Sequence, residues 1–367
     1  MKGKAVIAMS GGVDSSVAAW LMKERGYDCI GITLKLFTND DLGLKKHYSC
    51  CSLEDINDAR NVAYRMDMPH YVLNFSEDFR DQVIRRFIET YEQGGTPNPC
   101  IDCNRYIKFE SLLRRARQLD FETIVTGHYA QVEADRPNGR FLLKKARDAQ
   151  KDQSYVLYCL TQEQLAHTVF PLGDKTKGEV RAIALARGFG NAKKHDSQDI
   201  CFVPDRDYPR FIETYTGKQP EGGNILDRTG AVLGRHRGLI RYTIGQRRGV
   251  GLSFPQPMYV AAKSVADNTL TVGPEESLYS RSLIAGDCNF IACAGLEKPR
   301  RVTVKTRYLQ AEQGAVAEQV GPRSIRIDFD EPQRAVTPGQ AAVLYDGEYV
   351  VGGGTILGDR PGSAHTW

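Results

Sequence analysis

Residues Ser10-Gly11-Gly12-Val13-Asp14-Ser15-Ser16 stand directly after the apolar run Ala5-Val6-Ile7 and directly before a stretch with helical apolar spacing. Glycines in such a place let the chain turn tightly and bring backbone N–H groups against an anion. The serines offer hydroxyls, and the helix that follows contributes the positive end of its dipole. A nucleotide phosphate is therefore the expected ligand. No G-x-x-x-x-G-K-[ST] string occurs in the chain, so the phosphate is expected to be held by dipoles and not by a lysine, and transfer of a terminal phosphoryl group is disfavoured. The competing reading is an ordinary Ser-Gly-Gly turn in which Asp14 or Ser15 caps the helix.

The second chemical element is sulfur. Cys100-Ile-Asp-Cys103 follows the rigid, turn-rich Thr96-Pro-Asn-Pro99, and Cys201 lies in the later string Asp196-Ser-Gln-Asp-Ile-Cys-Phe202. Three readings compete for the C-x-x-C: a structural zinc half-site, a redox dithiol, or a pair that includes a nucleophile. Zinc needs two more ligands, and the available Cys50-Cys51 are adjacent where a zinc knuckle spaces its cysteines by two residues. Cys29, Cys159, Cys288 and Cys293 fall in apolar or strand-like surroundings and read as core residues.

These groups need a scaffold, and the chain divides into an α/β front and a β-rich back. Val17, Trp20 and Leu21 are spaced for a helix that ends before Gly26, and Cys29–Leu34 reads as a second strand. Tyr71–Leu73, Ile124–Thr126 and Phe141–Leu143 are further strand candidates. Phe79/Val83/Phe87/Ile88, Phe109/Leu112/Leu113 and Val180/Ile183/Ala184 have helical spacing. Alternation of this kind implies a doubly wound parallel sheet with the 8–16 loop at the carboxyl end of its first strand, where ligands bind in such sheets.

Beyond about Asp205, Gly-rich connections dominate. From about Leu283 the pattern alternates strictly, with Val302/Val304 opposed by Arg301, Lys305 and Arg307, then Ile325/Ile327/Phe329. Asp346-Gly347 between Ala341–Tyr345 and Glu348–Val351 signals a tight hairpin. A small antiparallel barrel or sandwich is the natural reading of this part. The expected division is a catalytic α/β domain over 1–204, a small central domain over 205–282 and a C-terminal β domain over 283–367.

With 367 residues and 41% apolar content the chain has material for two or three real cores. The apolar run before the glycines is too short for a signal peptide and no stretch approaches a membrane span, so a cytoplasmic protein that does not enter a membrane is expected. Its nine cysteines would then be reduced, which favours catalytic, metal-binding or inert thiols over a disulfide framework. A net charge of only +4 does not announce nucleic-acid binding, and any basic surface must be local.

The loop resembles that of the ATP pyrophosphatase superfamily, whose members cleave ATP between the α and β phosphates to adenylate a substrate oxygen. The resemblance sharpens along the chain. Ser10-Gly-Gly-Val-Asp-Ser-Ser16, Cys50-Cys-Ser-Leu-Glu-Asp55, Thr96-Pro-Asn-Pro99 with Cys103-Asn104, Thr126-Gly-His-Tyr129, Lys151-Asp-Gln-Ser-Tyr155, Asp196-Ser-Gln-Asp-Ile-Cys201 and Tyr242-Thr-Ile-Gly-Gln-Arg247 follow one another as in the tRNA-specific 2-thiouridylases of the MnmA type. That family uses ATP and a persulfide, delivered by a sulfur-relay protein or cysteine desulfurase, to place sulfur on C2 of the wobble uridine of tRNA. Its architecture is similar to the one read above, with a C-terminal β-barrel, and a monomer is implied.

What the resemblance implies for single residues is specific. Ala8, Met9, Ser10, Gly11, Gly12, Val13, Asp14, Ser15, Leu34 and Gly127 match ATP-binding positions, with Mg²⁺ screening the phosphates. Cys201 corresponds to the persulfide carrier and Cys103 to the nucleophile that attacks it, leaving a Cys103–Cys201 disulfide for a cellular reductant. Asn98, Pro99 and Cys100 match the segment that meets the target base. Lys151, Asp152, Gln153, His128, Arg307, Tyr308 and Gln340 match tRNA contacts. Taken singly, His128 would read as a structural histidine and Arg307 as a solvated strand face, and Leu34 and Gly127 as strand-end packing. One position departs from part of the family, where aspartate stands in place of Cys100. Cys100, Cys103 and Cys201 could then hold three irons of a [4Fe–4S] cluster and leave the fourth open to sulfide, so a non-redox thiolation stands as an alternative. Two other functions stay open beside these: an ATP-dependent amide synthetase sharing the loop, and an RNA-binding protein that has kept an ATP fold.

Overall fold

The computed structural model describes residues 3–38, 53–194, 200–203 and 205–358, so Cys50, Cys51 and residues 196–199 of the motifs above lie outside the described residues. The chain forms two compact units. The first comprises Met1–Ile84, Cys100–Arg206 and Glu348–Val350, and the second Arg85–Pro99, Asp207–Gly347 and Val351–Trp367.

Seven strands belong to the first unit: β1 (Lys4–Ala8), β2 (Asp28–Lys35), β3 (His70–Asn74), β4 (Thr123–Val125), β5 (Gln131–Asp135), β6 (Arg140–Lys144) and β7 (Thr168–Val169). Five of them make a parallel sheet in the order β3-β2-β1-β4-β7, in register Ala8 to Ile32 on one side of β1 and Ile7 to Val125 on the other. Ala5, Val6 and Ile7 have no exposed surface, as expected for a strand covered on both faces. The order reverses between β1 and β4, so the crevice outside their carboxyl ends is the place where such sheets bind ligands.

Helix α1 (Val13–Glu24) covers β1 and β2, flanked by α2 (Leu53–Arg65) and α3 (Lys177–Ala186). Its inward face is Val17, Ala18 and Met22, while Trp20 and Leu21 are only half-buried, and the chain leaves it through Gly26 in the left-handed region at φ +80°. Phe141–Leu143 is a strand, as expected, but in a different sheet context. It lies in β6, which pairs antiparallel with β5 as a hairpin. The parallel sheet instead takes the two-residue β7, too short to leave a periodic signal.

In the second unit, β8 (Asn224–Leu226), β9 (Val232–Arg235), β10 (Tyr259–Ser264) and β11 (Thr269–Gly273) form a sheet in the order β10-β11-β8-β9 around Ile225, Val260, Leu270 and Val272. Six longer strands follow: β12 (Tyr279–Phe290), β13 (Arg300–Lys305), β14 (Gln313–Gly321), β15 (Ser324–Arg334), β16 (Ala341–Asp346) and β17 (Tyr349–Gly358). They run β12-β15-β14-β13-β16-β17, and β17 pairs back to β12, which closes a six-stranded barrel without a free edge. Val302, Val304, Ile325, Ile327 and Phe329 point into its core, as the alternation requires. Arg307 is not on a strand face. β13 stops at Lys305, and Arg307 sits in the turn beyond, where its guanidinium donates to the Ala335 carbonyl at 2.7 Å. Among the described residues no helix is long and apolar enough to cross a membrane.

His236 pins the small sheet. Its buried ring bonds the Asn268 carbonyl through Nε2 at 3.1 Å, and Nδ1 accepts from the backbone N–H groups of Gly238 at 3.1 Å and Gly223 at 3.4 Å. Burial holds its pKa below the ordinary 6.5, so the neutral form belongs to the folded state. The stabilisation is complete above the unfolded value and drains away as pH falls through the folded one. Hydrogen-exchange protection of Gly223 and Gly238 is therefore expected to drop between about pH 7 and pH 5. Unchanged protection over that range would show that the neutral ring does not hold the turn.

Candidate nucleotide and thiol site

The loop after β1 is built to leave a helix end open. Gly12 stands at the N-cap of α1 with no side-chain cap bond, so neither Asp14 nor Ser15 caps the helix. The hydroxyls of Ser15 and Ser16 turn back and donate to the Gly12 carbonyl at 3.0 Å each, and Ser15 Oγ accepts from the Ser10 N–H at 3.3 Å. With the side chains spent on shaping the turn, the first-turn backbone is left to face an anion. Gly11 has φ +76°, and a Cβ there would stand 2.3 Å from the Asp55 carbonyl. Asn191 closes the rear: its Nδ2 donates to Gly11 O and to Ser16 Oγ at 2.9 Å each, while its buried Oδ1 has no partner among the described residues.

Two lysines reach the loop and its surroundings through carboxylates. Lys177, at the start of α3, places Nζ 2.7 and 2.8 Å from the two carboxylate oxygens of Asp14. Lys194 bonds Asp55 at 2.6 Å and Asp58 at 2.7 Å, fixing the start of α2 beside Gly11. Sequence inspection found neither lysine, nor Asn191, because each lies far along the chain in a stretch with no motif of its own.

At the end of β4, Gly127 crosses the loop so closely that a Cβ would lie 2.8 Å from both Asp14 C and Ser15 N. Leu34, half-buried, lies near the end of the neighbouring β2. Tyr129 donates its hydroxyl to Asp14 at 2.8 Å, and its backbone is held at both ends by Gln153, whose Oε1 accepts from Tyr129 N at 2.9 Å and whose N–H donates to Tyr129 O at 2.8 Å. Asp152 is turned inward on the Ala146 and Ser154 N–H groups and the Ser154 hydroxyl, and Lys151 is half-buried. His128 is buried between Phe109 and Phe170 and bonds Thr126 Oγ1 at 2.7 Å. Burial, with Lys108 adding to it, holds its pKa well below 6.5, so the ring is neutral.

Cys103 and Cys201 belong to this same unit. Cys100 is exposed in the turn Pro99–Asp102, Cys103 is buried at the start of the π-helical stretch Cys103–Ser111, and Cys201 is exposed. Asn104, beside Cys103, is buried with Nδ2 on the Val156 carbonyl at 3.1 Å and Oδ1 unpartnered. Three other thiols among the described residues are inert by environment. Burial pushes Cys29 up to about 11 and Cys159 and Cys288 up to about 12, and Cys293 is half-buried where the sequence implied a core position. Among the described residues no three His, Cys, Asp or Glu side chains come together as a group that could hold a metal ion.

In the second unit Gln340 has a plain structural task. Its Nε2 donates to the carbonyls of Thr96 at 2.8 Å and Pro97 at 3.3 Å, fixing the lead-in to Asn98 and Pro99. Arg307 is exposed on the rim of a shallow cavity of about 530 Å³, and Tyr308 is half-buried. A basic surface that sequence reading overlooked lies elsewhere. Residues 209–274 hold nine Lys and Arg against four Asp and Glu, a surplus larger than that of the whole chain. Among the described residues Arg228, Arg235, Arg237, Arg247 and Arg248 are exposed without a carboxylate partner, whereas Arg300, Arg301, Arg323, Arg326 and Arg334 of the barrel each have one.

An open helix end at the switch point of a parallel α/β sheet is the arrangement of a nucleotide-binding α/β fold. Three family models match in succession: the tRNA methyl transferase HUP domain over residues 3–205, the tRNA methyl transferase PRC-barrel domain over 209–274 and the aminomethyltransferase beta-barrel domain over 280–356. The chain belongs to the family of tRNA-specific 2-thiouridylases, MnmA. It is 49% identical to the member from Clostridioides difficile over 97% of this chain and 98% of the relative. It is 50% identical to that of Symbiobacterium thermophilum over 96% and 92%, and 51% identical to that of Moorella thermoacetica over 96% and 98%.

The close crossing at Gly127 carries its own test. Gly127→Ala forces a methyl group against backbone atoms that cannot swing aside, and is expected to cost roughly 1–3 kcal/mol in thermal unfolding and to weaken nucleotide binding. Normal nucleotide affinity in this variant would show that the crossing does not shape the loop.

Proposed function

We propose that this chain is a tRNA-uridine 2-sulfurtransferase that adenylates the oxygen on C2 of the wobble uridine with ATP and replaces that activated oxygen by sulfur. The observation that carries the reading is the uncapped start of α1, a phosphate grip, in a chain whose full-length relatives are 2-thiouridylases. Ser10–Ser15 would receive the ATP phosphates. Mg²⁺ would be carried on those phosphates and supply charge screening, because both oxygens of Asp14 are engaged by Lys177. The uracil O2 attacks the α phosphate and pyrophosphate departs, which turns a poor leaving oxygen into one that leaves with AMP.

Sulfur arrives as a persulfide on Cys201, delivered by a sulfur-relay protein or cysteine desulfurase. The Cys103 thiolate attacks the Cys201 sulfur, a Cys103–Cys201 bond forms, and the outer sulfur leaves as hydrosulfide. Hydrosulfide then adds to C2, AMP is expelled, and a cellular dithiol reduces the disulfide. Asn98, Pro99 and Cys100 would face the flipped base, on a segment steadied by Gln340. Asp152 and Gln153 would serve through the shape of their loop, leaving Lys151, Arg307 and Tyr308 for the RNA. For His128 the support is the family match alone, since the ring is buried. The three-part division at 204/205 and 282/283 is carried with the reading, the central part contributing its unpaired arginines to the tRNA surface.

Incubation with tRNA and ATP should yield AMP and pyrophosphate, with 2-thiouridine in the digested tRNA. Ser15→Ala should slow adenylation by at least about tenfold while tRNA binding persists. Stoichiometric ADP and phosphate would overturn the assignment, and product formation without tRNA would point to a synthetase. Cys201→Ser and Cys103→Ser should each abolish thiolation, and iron-free protein should retain it. Activity that requires about four irons per chain and accepts sulfide without forming a disulfide would transfer the reaction to the cluster.

Phosphate contacts spread over the surface make tRNA affinity fall steeply with salt. Removing one contact by Arg307→Ala or Arg237→Ala should flatten the log–log slope by roughly 0.7 to 0.9 without changing ATP affinity measured in the absence of tRNA. A slope equal to wild type would take that arginine out of the interface.

A further inference from the structure

A carboxylate is an unexpected guest in an anion site. Asp14 stands in the first turn of α1, in the loop assigned above to the ATP phosphates, and a bare negative charge there would repel them. Two groups meet it. Lys177 Nζ lies 2.7 and 2.8 Å from its oxygens, with the Lys177 side chain only 12% exposed, and the Tyr129 hydroxyl donates to Oδ1 at 2.8 Å. The ammonium also lies 5.8 Å from the centroid of the Tyr129 ring, so the three groups form one compact cluster. One stretch of chain supports both partners from behind: Gln153 holds the backbone of Tyr129, and the Asp148 carboxylate accepts from the Lys177 N–H at 2.9 Å.

We infer that Lys177 and Tyr129 are positioning residues for ATP, which cancel and orient the charge of Asp14 so that the open end of α1 presents positive potential to a polyphosphate. The ion pair bridges α3 and α1, so a purely mechanical tether would account for the same distances. Charge and tether separate cleanly in a double variant, because removing both partners restores neutrality without restoring the bridge. The inference rests on the ATP reading of the loop, and the experiment tells the two apart.

The measurement is MgATP affinity of the full chain without tRNA, with the melting midpoint recorded for each variant. Lys177→Met is expected to lose roughly tenfold or more in affinity. Asp14→Asn with Lys177→Met together should bind at least about threefold more tightly than Lys177→Met alone. Wild-type affinity in Lys177→Met, or a double variant no better than the single one, would overturn the inference and leave the ATP site standing. No binding by the wild-type chain would instead remove the ATP reading, and the inference with it. If Lys177→Met does not fold, Tyr129→Phe keeps the ring and the ion pair and serves as the second arm. Its expected loss of affinity should vanish in the Asp14→Asn background, and a loss of equal size there overturns the inference.

Discussion

The N-terminus of α1 is left without a cap, and much of the first unit exists to make that tolerable. A helix start normally satisfies one of its orphan N–H groups with a side chain such as serine or aspartate. Here Gly12 occupies the cap position, and Ser15 and Ser16 bond the Gly12 carbonyl and so offer the helix N–H groups nothing. Asn191 secures the turn from behind, Gly127 crosses it without a side chain, and β1 and β4 on either side of the sheet reversal supply the crevice. Among the described residues no side chain completes the helix start.

That arrangement explains which parts were legible in the sequence. The loop declares itself because its residues are contiguous and their types admit few uses, and the strand before it and helix after it follow from simple periodicity. Lys177, Asn191 and Lys194 reach the same loop from positions that only the closed fold brings near, and no local pattern marks them. Arg307 shows the opposite failure. Alternation extended one step too far put it on a strand, when the strand had already ended and its guanidinium was committed to the Ala335 carbonyl. Phe141–Leu143 was visible as a strand, but period-two patterning says nothing about which sheet a strand joins.

The thiols sort by environment in a way that composition could only suggest. Cys29, Cys159 and Cys288 sit where burial raises the cost of a thiolate, which suits filler in a core. Cys103 is also buried, yet it opens a π-helical stretch, a backbone form whose widened turn often marks a working site, and its neighbour Asn104 keeps an unpartnered oxygen. Likewise Gln340, Asp152 and Gln153 spend their polar groups on backbone partners or on neighbours in their own loop. These bonds fix the shape of the loops that carry them.

The second unit also has a consequence for how the chain is made. Residues Arg85–Pro99 belong to it, but they leave the ribosome before the whole of Cys100–Arg206, which belongs to the first unit. The carbonyls of Thr96 and Pro97 wait for Gln340, and the Thr96 N–H for the Pro338 carbonyl, groups synthesised more than two hundred residues later. A nascent chain halted before the barrel therefore carries the Thr96–Pro99 lead-in untethered, and contacts of such sequence separation form late. A fragment that stops short of Pro338 would keep the nucleotide loop and lose the groups that hold Thr96 and Pro97.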